Sequence, residues 1–109
     1  MSENQAFRIV FVTVPDLETG RRIAHQLLTQ KLAACINIIP GLESHYVWET
    51  EIQFDHECLL LIKTSIHRLD SLKDVIKLNH PYDTPEIVAV PITEGSEKYL
   101  TWIHEQTSS

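Results

Sequence analysis

Apolar positions change their period several times along the chain, and each change marks an element. Arg8 to Val14 (RIVFVTV) is β-branched, aromatic and apolar on both alternating faces, as a strand inside a sheet requires. Pro15 ends it. From Asp16, a predicted N-cap, Leu17, Gly20, Ile23, Ala24, Leu27 and Leu28 recur at helical spacing, with Glu18, Arg21, Arg22, Gln26 and Gln30 on the opposite side. Ala33 to Trp48 is β-rich again but interrupted by Pro40-Gly41, which predicts one long strand with a bulge or bend there. Glu49-Thr50 is the polar break before the next strand. Neither residue readily takes φ > 0, so a loop of about four residues is expected in place of a tight turn.

Glu57 to Thr64 (ECLLLIKT) reads as the apolar end of a central strand, with Thr64 or Ser65 capping a second helix striped by Ile66, Leu69, Leu72 and Ile76. Pro81 stops that helix near His80, because proline restricts the residue before it and lacks an N–H. Beyond Tyr82-Asp83-Thr84-Pro85, EIVAVPI predicts another strand, and Ser96 to Gln106 a closing helix with Tyr99, Leu100 and Ile103 facing inward. The order β-α-β-β-α-β-α predicts an α+β, ferredoxin-like βαββαβ sandwich with a long hairpin between its second and third strands and an additional C-terminal helix. Two helices cover one face of its four-stranded antiparallel sheet. The first and third strands are apolar on both sides, so the other face must also be buried. Self-association is therefore expected, with the hairpin from about Gly41 to Asp55 as its arm.

A chain of 109 residues with 43% apolar residues can bury one core, so a single domain is expected over residues 1–109, with about 1–6 and 107–109 as flexible ends. Its apolar stretches are strand-sized, short of the roughly 20 residues of a membrane helix, and MSENQAFRIVF lacks a basic region followed by an apolar one. No membrane insertion and a cytoplasmic location are expected. The formal charge is −6, and the few Lys and Arg are scattered, which argues against nucleic acid as a partner. Cys35 and Cys58 are expected as free thiols. A hairpin turning at Glu49-Thr50 sets Cys35 opposite about Thr64 and Cys58 opposite about Gly41. That offset of about six residues, at ~3.3 Å each, far exceeds the ~7 Å Cα separation a disulfide allows.

Candidate chemistry gathers at one sheet edge. The predicted topology brings Thr13, Glu57, His80 and Glu86 to the edge where the second helix ends. His80 either offers an imidazole nitrogen to a metal or caps its helix. With Glu57 it makes an N/O pair suited to a divalent ion, but too few ligands for a closed site, so binding is expected to be weak. Cys35 starts its strand at the opposite edge, roughly 20 Å away, and can join such a site only from a neighbouring subunit. Lys63 ends an apolar run, either as a ligand-binding amine of lowered pKa or as a snorkelling side chain. Tyr46 and Trp48 share a strand face and, with Tyr82 and Trp102, are candidates for a ligand cleft or an intersubunit contact. His25, His45, His56, His67 and His104 read as surface residues, His45 and His56 close together on the arm. No nucleophile elbow, Gly-rich phosphate loop or Ser-His-Asp order is discernible, so no catalytic residue and no organic cofactor are expected.

Six segments match one family pattern in order: TVPD at Thr13, KLAACINIIPG at Lys31, SHYVW at Ser44, ECLLLIKT at Glu57, HPYDTPEI at His80 and YLTWI at Tyr99. Together they resemble the CutA family. The resemblance implies a homotrimer of ferredoxin-like subunits whose hairpins and sheet edges pair, and an association with divalent-cation tolerance and copper. A PII-like ligand-sensing trimer and a trimeric protein-anchoring scaffold are the alternatives. One departure stands out: where the family pattern places Gly-Lys at the hairpin tip, this chain has Thr50-Glu51.

Overall fold

The computed structural model describes residues 6–108. Its elements are β1 (Phe7–Val14), α1 (Leu17–Thr29), β2 (Cys35–Trp48), β3 (Glu51–Ser65), α2 (Leu69–Asn79), β4 (Ile87–Pro91) and α3 (Glu97–Gln106). The sheet order is β2-β3-β1-β4 with every neighbouring pair antiparallel, the ferredoxin-like arrangement. Of the expected loose ends, residues 1–5 and 109 lie outside the described residues. The flanking residues are tied down, since Ala6 accepts a backbone hydrogen bond from Ile66 and Thr107 is fully buried.

One sheet face carries the core. Val10, Val12 and Val14 of β1 pair with Ile62, Leu60 and Cys58 of β3, and this apolar layer packs against Ile23 and Leu27 of α1 and Leu72 and Ile76 of α2. α1 lies close because residue 20 is glycine: a Cβ there would sit 3.2 Å from Leu60 Cδ2 and 3.4 Å from Val14 Cγ2. Asp16 caps α1 as expected, accepting the Thr19 N–H at 2.8 Å, and that bond holds its carboxyl below the usual range. The other face carries Phe11, Leu59, Ile39, Val88 and Val90, the last three 40–51% exposed.

Three local expectations are corrected. The hairpin closes through two residues, Glu49 (φ 50°) and Thr50 (φ 69°), with Trp48 paired to Glu51, and not through a loop of about four. Continuous pairing of the arm outweighs the cost of positive φ at non-glycine residues. Thr64 and Ser65 do not cap α2. The Thr64 hydroxyl donates to the Leu32 carbonyl and Ser65 bonds the Thr107 hydroxyl, while a single 3-10 turn at Ile66–Arg68 leads into the helix. In α3 Ile103 is buried and Leu100 half-buried, but Tyr99 remains 42% exposed.

The bulge appears where Pro40-Gly41 predicted it, with Gly41 at φ 83°. Pairing runs Ile39 with Leu59 and then Leu42 with Glu57, so Pro40 and Gly41 together face Cys58. This one-residue shift moves Cys35 opposite Lys63 instead of Thr64. Both cysteines are free, as expected. Beyond the bulge the arm projects from the body. The molecule measures 45 × 26 × 23 Å, and its radius of gyration of 14.6 Å exceeds the about 13 Å of a compact chain this long. The arm exposes Val47, Trp48, Phe54 and Ile52, the last 81% accessible. Among the described residues no helix is long and apolar enough to cross a membrane.

Candidate functional site

Register decides which side chains meet at the base of the arm. Without an extra residue, a period of two along β2 would set Tyr46 and Trp48 on the face opposite Asn37 and Ile39. The two-residue turn sets Ser44, Tyr46 and Trp48 on one face with Asp55 and Glu57 of β3, and the bulge reverses the alternation so that Asn37 and Ile39 share that face too. Across β1, the turn after α2 brings Tyr82, Asp83 and Thr84 to the same place, and Glu86 follows. Together these residues, His45 and Thr13 line an open cleft of about 640 Å³.

His80 lies beside the cleft and builds its wall. It ends α2 in an extended conformation and is 8% exposed. Its Nε2–H donates to the Thr13 carbonyl at 2.7 Å, and its Nδ1 accepts the Tyr82 N–H at 3.2 Å. These partners fix the neutral tautomer and use both ring nitrogens. The β1–β4 ladder ends at Val12 and Ile87, and one residue further on His80 supplies the donor that a longer strand would have given. Neither a dipole cap nor a free ligand describes it in this conformation: metal ligation requires giving up one of the two bonds.

The cleft itself is acidic and aromatic. Glu57, also 8% exposed, accepts the Tyr82 hydroxyl on Oε2 at 3.0 Å, and Asp55 accepts the Tyr46 hydroxyl at 2.5 Å. Burial, the bond to Glu57 and the nearby charges of Glu57 and Asp55 push the Tyr82 phenol up to about 12. The bond to Asp55 likewise raises Tyr46. The Tyr82 ring packs 4.7 Å from the His80 ring at a tilt of 53°, which fixes its orientation over the cleft.

The remaining predicted residues separate. Lys63 donates to the Asn37 side chain on the helix-free face, away from the cleft. Cys35 lies level with Lys63 and Ile9, four residues from Thr13 along the strands and two strands across, so His80 cannot reach it within one chain. Burial raises the Tyr99 phenol, and Cys35 beside it adds to the shift. Trp102 stacks near Tyr99 on α3 at 5.5 Å and does not line the cleft. The five other histidines are exposed; His45 and His56 flank Phe54 on the arm, and His45 also contributes to the lining of the cleft. Asp55 and Asp83 were not foreseen. The signal for Asp55 was present, since a two-residue turn at Glu49-Thr50 pairs Ser44 with Asp55 and sets Tyr46 on its face. Among the described residues no group of three or more His, Cys, Asp or Glu side chains is placed to hold a metal ion, so the chain alone does not fit a closed metal centre.

Comparison with known proteins agrees with the fold. The family model described as CutA1 divalent ion tolerance protein matches residues 8–106. "Protein CutA, chloroplastic" of Arabidopsis thaliana is 50% identical over 99 residues, covering 91% of this chain and 54% of its own length. The chain thus spans about half of that plant relative. "Divalent-cation tolerance protein CutA" of Thermus thermophilus is also 50% identical, over 91% of this chain and 96% of its own. The crystal structure of CutA1 from Oryza sativa superposes with a TM-score of 0.93 at 48% identity, covering 98% of both chains.

Proposed function

The chain belongs to the CutA1 family of divalent ion tolerance proteins, and from that premise we propose that it serves divalent-cation tolerance as a cytoplasmic homotrimer that binds metal ions weakly and performs no catalysis. The observation that carries the reading is the cleft, whose lining includes Asp55, Glu57, Asp83 and Glu86 and no lysine or arginine. Such a surface draws cations by its field, and carboxylate oxygens suit divalent ions. A Cu(II) ion meets Glu57 first. His80 joins only by releasing the Tyr82 amide, so water completes the coordination and affinity is low. Assembly follows from the exposed Val88, Val90 and Ile39 of the helix-free face and from the apolar arm, surfaces that a neighbouring copy would bury.

Native mass spectrometry of protein purified without chelator tests both parts together. The expected spectrum is a trimer whose metal is partial and is lost on dialysis. A stable monomer would overturn the assembly, and a metal retained in stoichiometric amount would overturn the weak, open site.

A further inference from the structure

We propose that the helix-free face of each copy receives the arm of the next, and that its Lys63 pairs with a carboxylate of the arriving arm, Glu51 or Asp55. This rests on the assembly proposed above and specifies which surfaces meet in it. Lys63 stands out on its face. Among the described residues, the ladder positions level with Leu59 to Lys63 on that side of the sheet hold Phe11, Ile39, Leu61, Val88 and other neutral side chains, with Lys63 as the single charge. It donates to the neutral side-chain amide of Asn37, and no carboxylate among the described residues pairs with it. A neighbour that covers this face therefore buries an ammonium group, which is unfavourable unless the neighbour also brings a counter-charge.

Charge is segregated along the molecule. The arm from Leu42 to Glu57 carries five of the fifteen carboxylates and none of the nine Lys and Arg, so the rest of the chain is close to neutral. Two arms laid on each other set like charges together, whereas an arm laid on the body sets carboxylates against the one cation of an apolar face. Contact between two different patches is head-to-tail, the kind that closes a ring of copies. Glu51, opposite Trp48, and Asp55, opposite Ser44, lie on the same side of the arm as Tyr46, so aromatic and acidic groups arrive together. A chain's own arm cannot serve: Asp55, the nearer of the two, is eight residues from Lys63 along β3, roughly 26 Å at ~3.3 Å per residue.

Sedimentation equilibrium of the intact protein in chelator, where no bridging metal contributes, tests the pair with Lys63→Glu, with Glu51→Lys and Asp55→Lys together, and with all three changes in one chain. Each charge inversion alone is expected to raise the concentration for half-assembly at least roughly tenfold, and the triple variant to return within about threefold of wild type. Added salt is expected to weaken the wild type and to relieve the inverted variants. Should Lys63→Glu fail to fold by circular dichroism, Lys63→Met supplies the second measure: inverting the arm is expected to weaken the wild type far more than it weakens Lys63→Met. Inversions that leave assembly unchanged, a triple variant no better than its parts, or an arm inversion equally damaging with and without Lys63 overturns the pairing and leaves the trimer in place. A wild type that stays monomeric overturns the assembly itself, and the pairing with it.

Discussion

Replacing His80 by alanine separates a structural from a metal-binding imidazole. In the wild type the ring satisfies the Thr13 carbonyl at 2.7 Å and the Tyr82 N–H at 3.2 Å, at a site only 8% exposed. Alanine leaves the carbonyl beyond the end of the β1–β4 ladder without a donor, at a cost of about 1–3 kcal/mol for a buried unsatisfied group. Loss of the Tyr82 bond and of ring packing against Tyr82 adds to this, for a total of about 2–4 kcal/mol. Guanidinium unfolding at fixed protein concentration measures it, since concentration shifts the midpoint of any oligomer. His80→Gln, which keeps an amide donor for Thr13, is expected to recover about half of the loss. Parallel calorimetry with Cu(II) is expected to show only a modest change for His80→Ala and a larger one for Glu57→Gln. A His80→Ala protein within about 0.5 kcal/mol of wild type but deficient in copper would refute the structural reading and make the imidazole a metal ligand.

Further expectations follow from the arm and the cleft. Thr50→Gly relieves a β-branched residue at φ 69° and is expected to stabilise the hairpin by about 1 kcal/mol, read as slower amide exchange at the tip; unchanged or faster exchange would show that the turn carries no strain. Trp48→Ala is expected to weaken the trimer in light scattering, because this 64% exposed ring lies on the arm, and an unaltered mass at low micromolar concentration would remove Trp48 from the contact. In an ultraviolet titration one tyrosine is expected to ionise last, near 12, and Tyr82→Phe should abolish that step. Tyr82's folded pKa lies above its ordinary value of 10.0, so the unfolded chain loses this proton first. The Tyr82 contribution to stability is therefore full below pH 10 and is lost as the pH rises toward 12; stability that rises over this window would contradict the assignment.

Local rules suffice for much of the fold. Alternation in RIVFVTV, helical spacing from Leu17 to Leu28, and Pro81 after α2 each act through neighbours in the chain, so the strands, helices and the βαββαβ order are legible in the sequence. So was the bulge, because Pro40 lacks a ladder donor and Gly41 accepts φ 83°. Local rules fail where a distant partner competes. Thr64 and Ser65 have the composition of helix caps, yet their hydroxyls are taken by Leu32 and by Thr107, partners 32 and 42 residues away. Glu49 and Thr50 avoid positive φ by intrinsic preference, yet the ladder on either side imposes it. The candidate site shows the same division. That His80, Glu57, Glu86 and Thr13 share an edge follows from strand direction alone, which sequence order determines. What His80 does there depends on where β4 begins, and whether Tyr46 and Trp48 share a face with Asn37 and Ile39 depends on a one-residue shift at the bulge. Both are properties of pairing between distant segments, so only the folded chain could decide them.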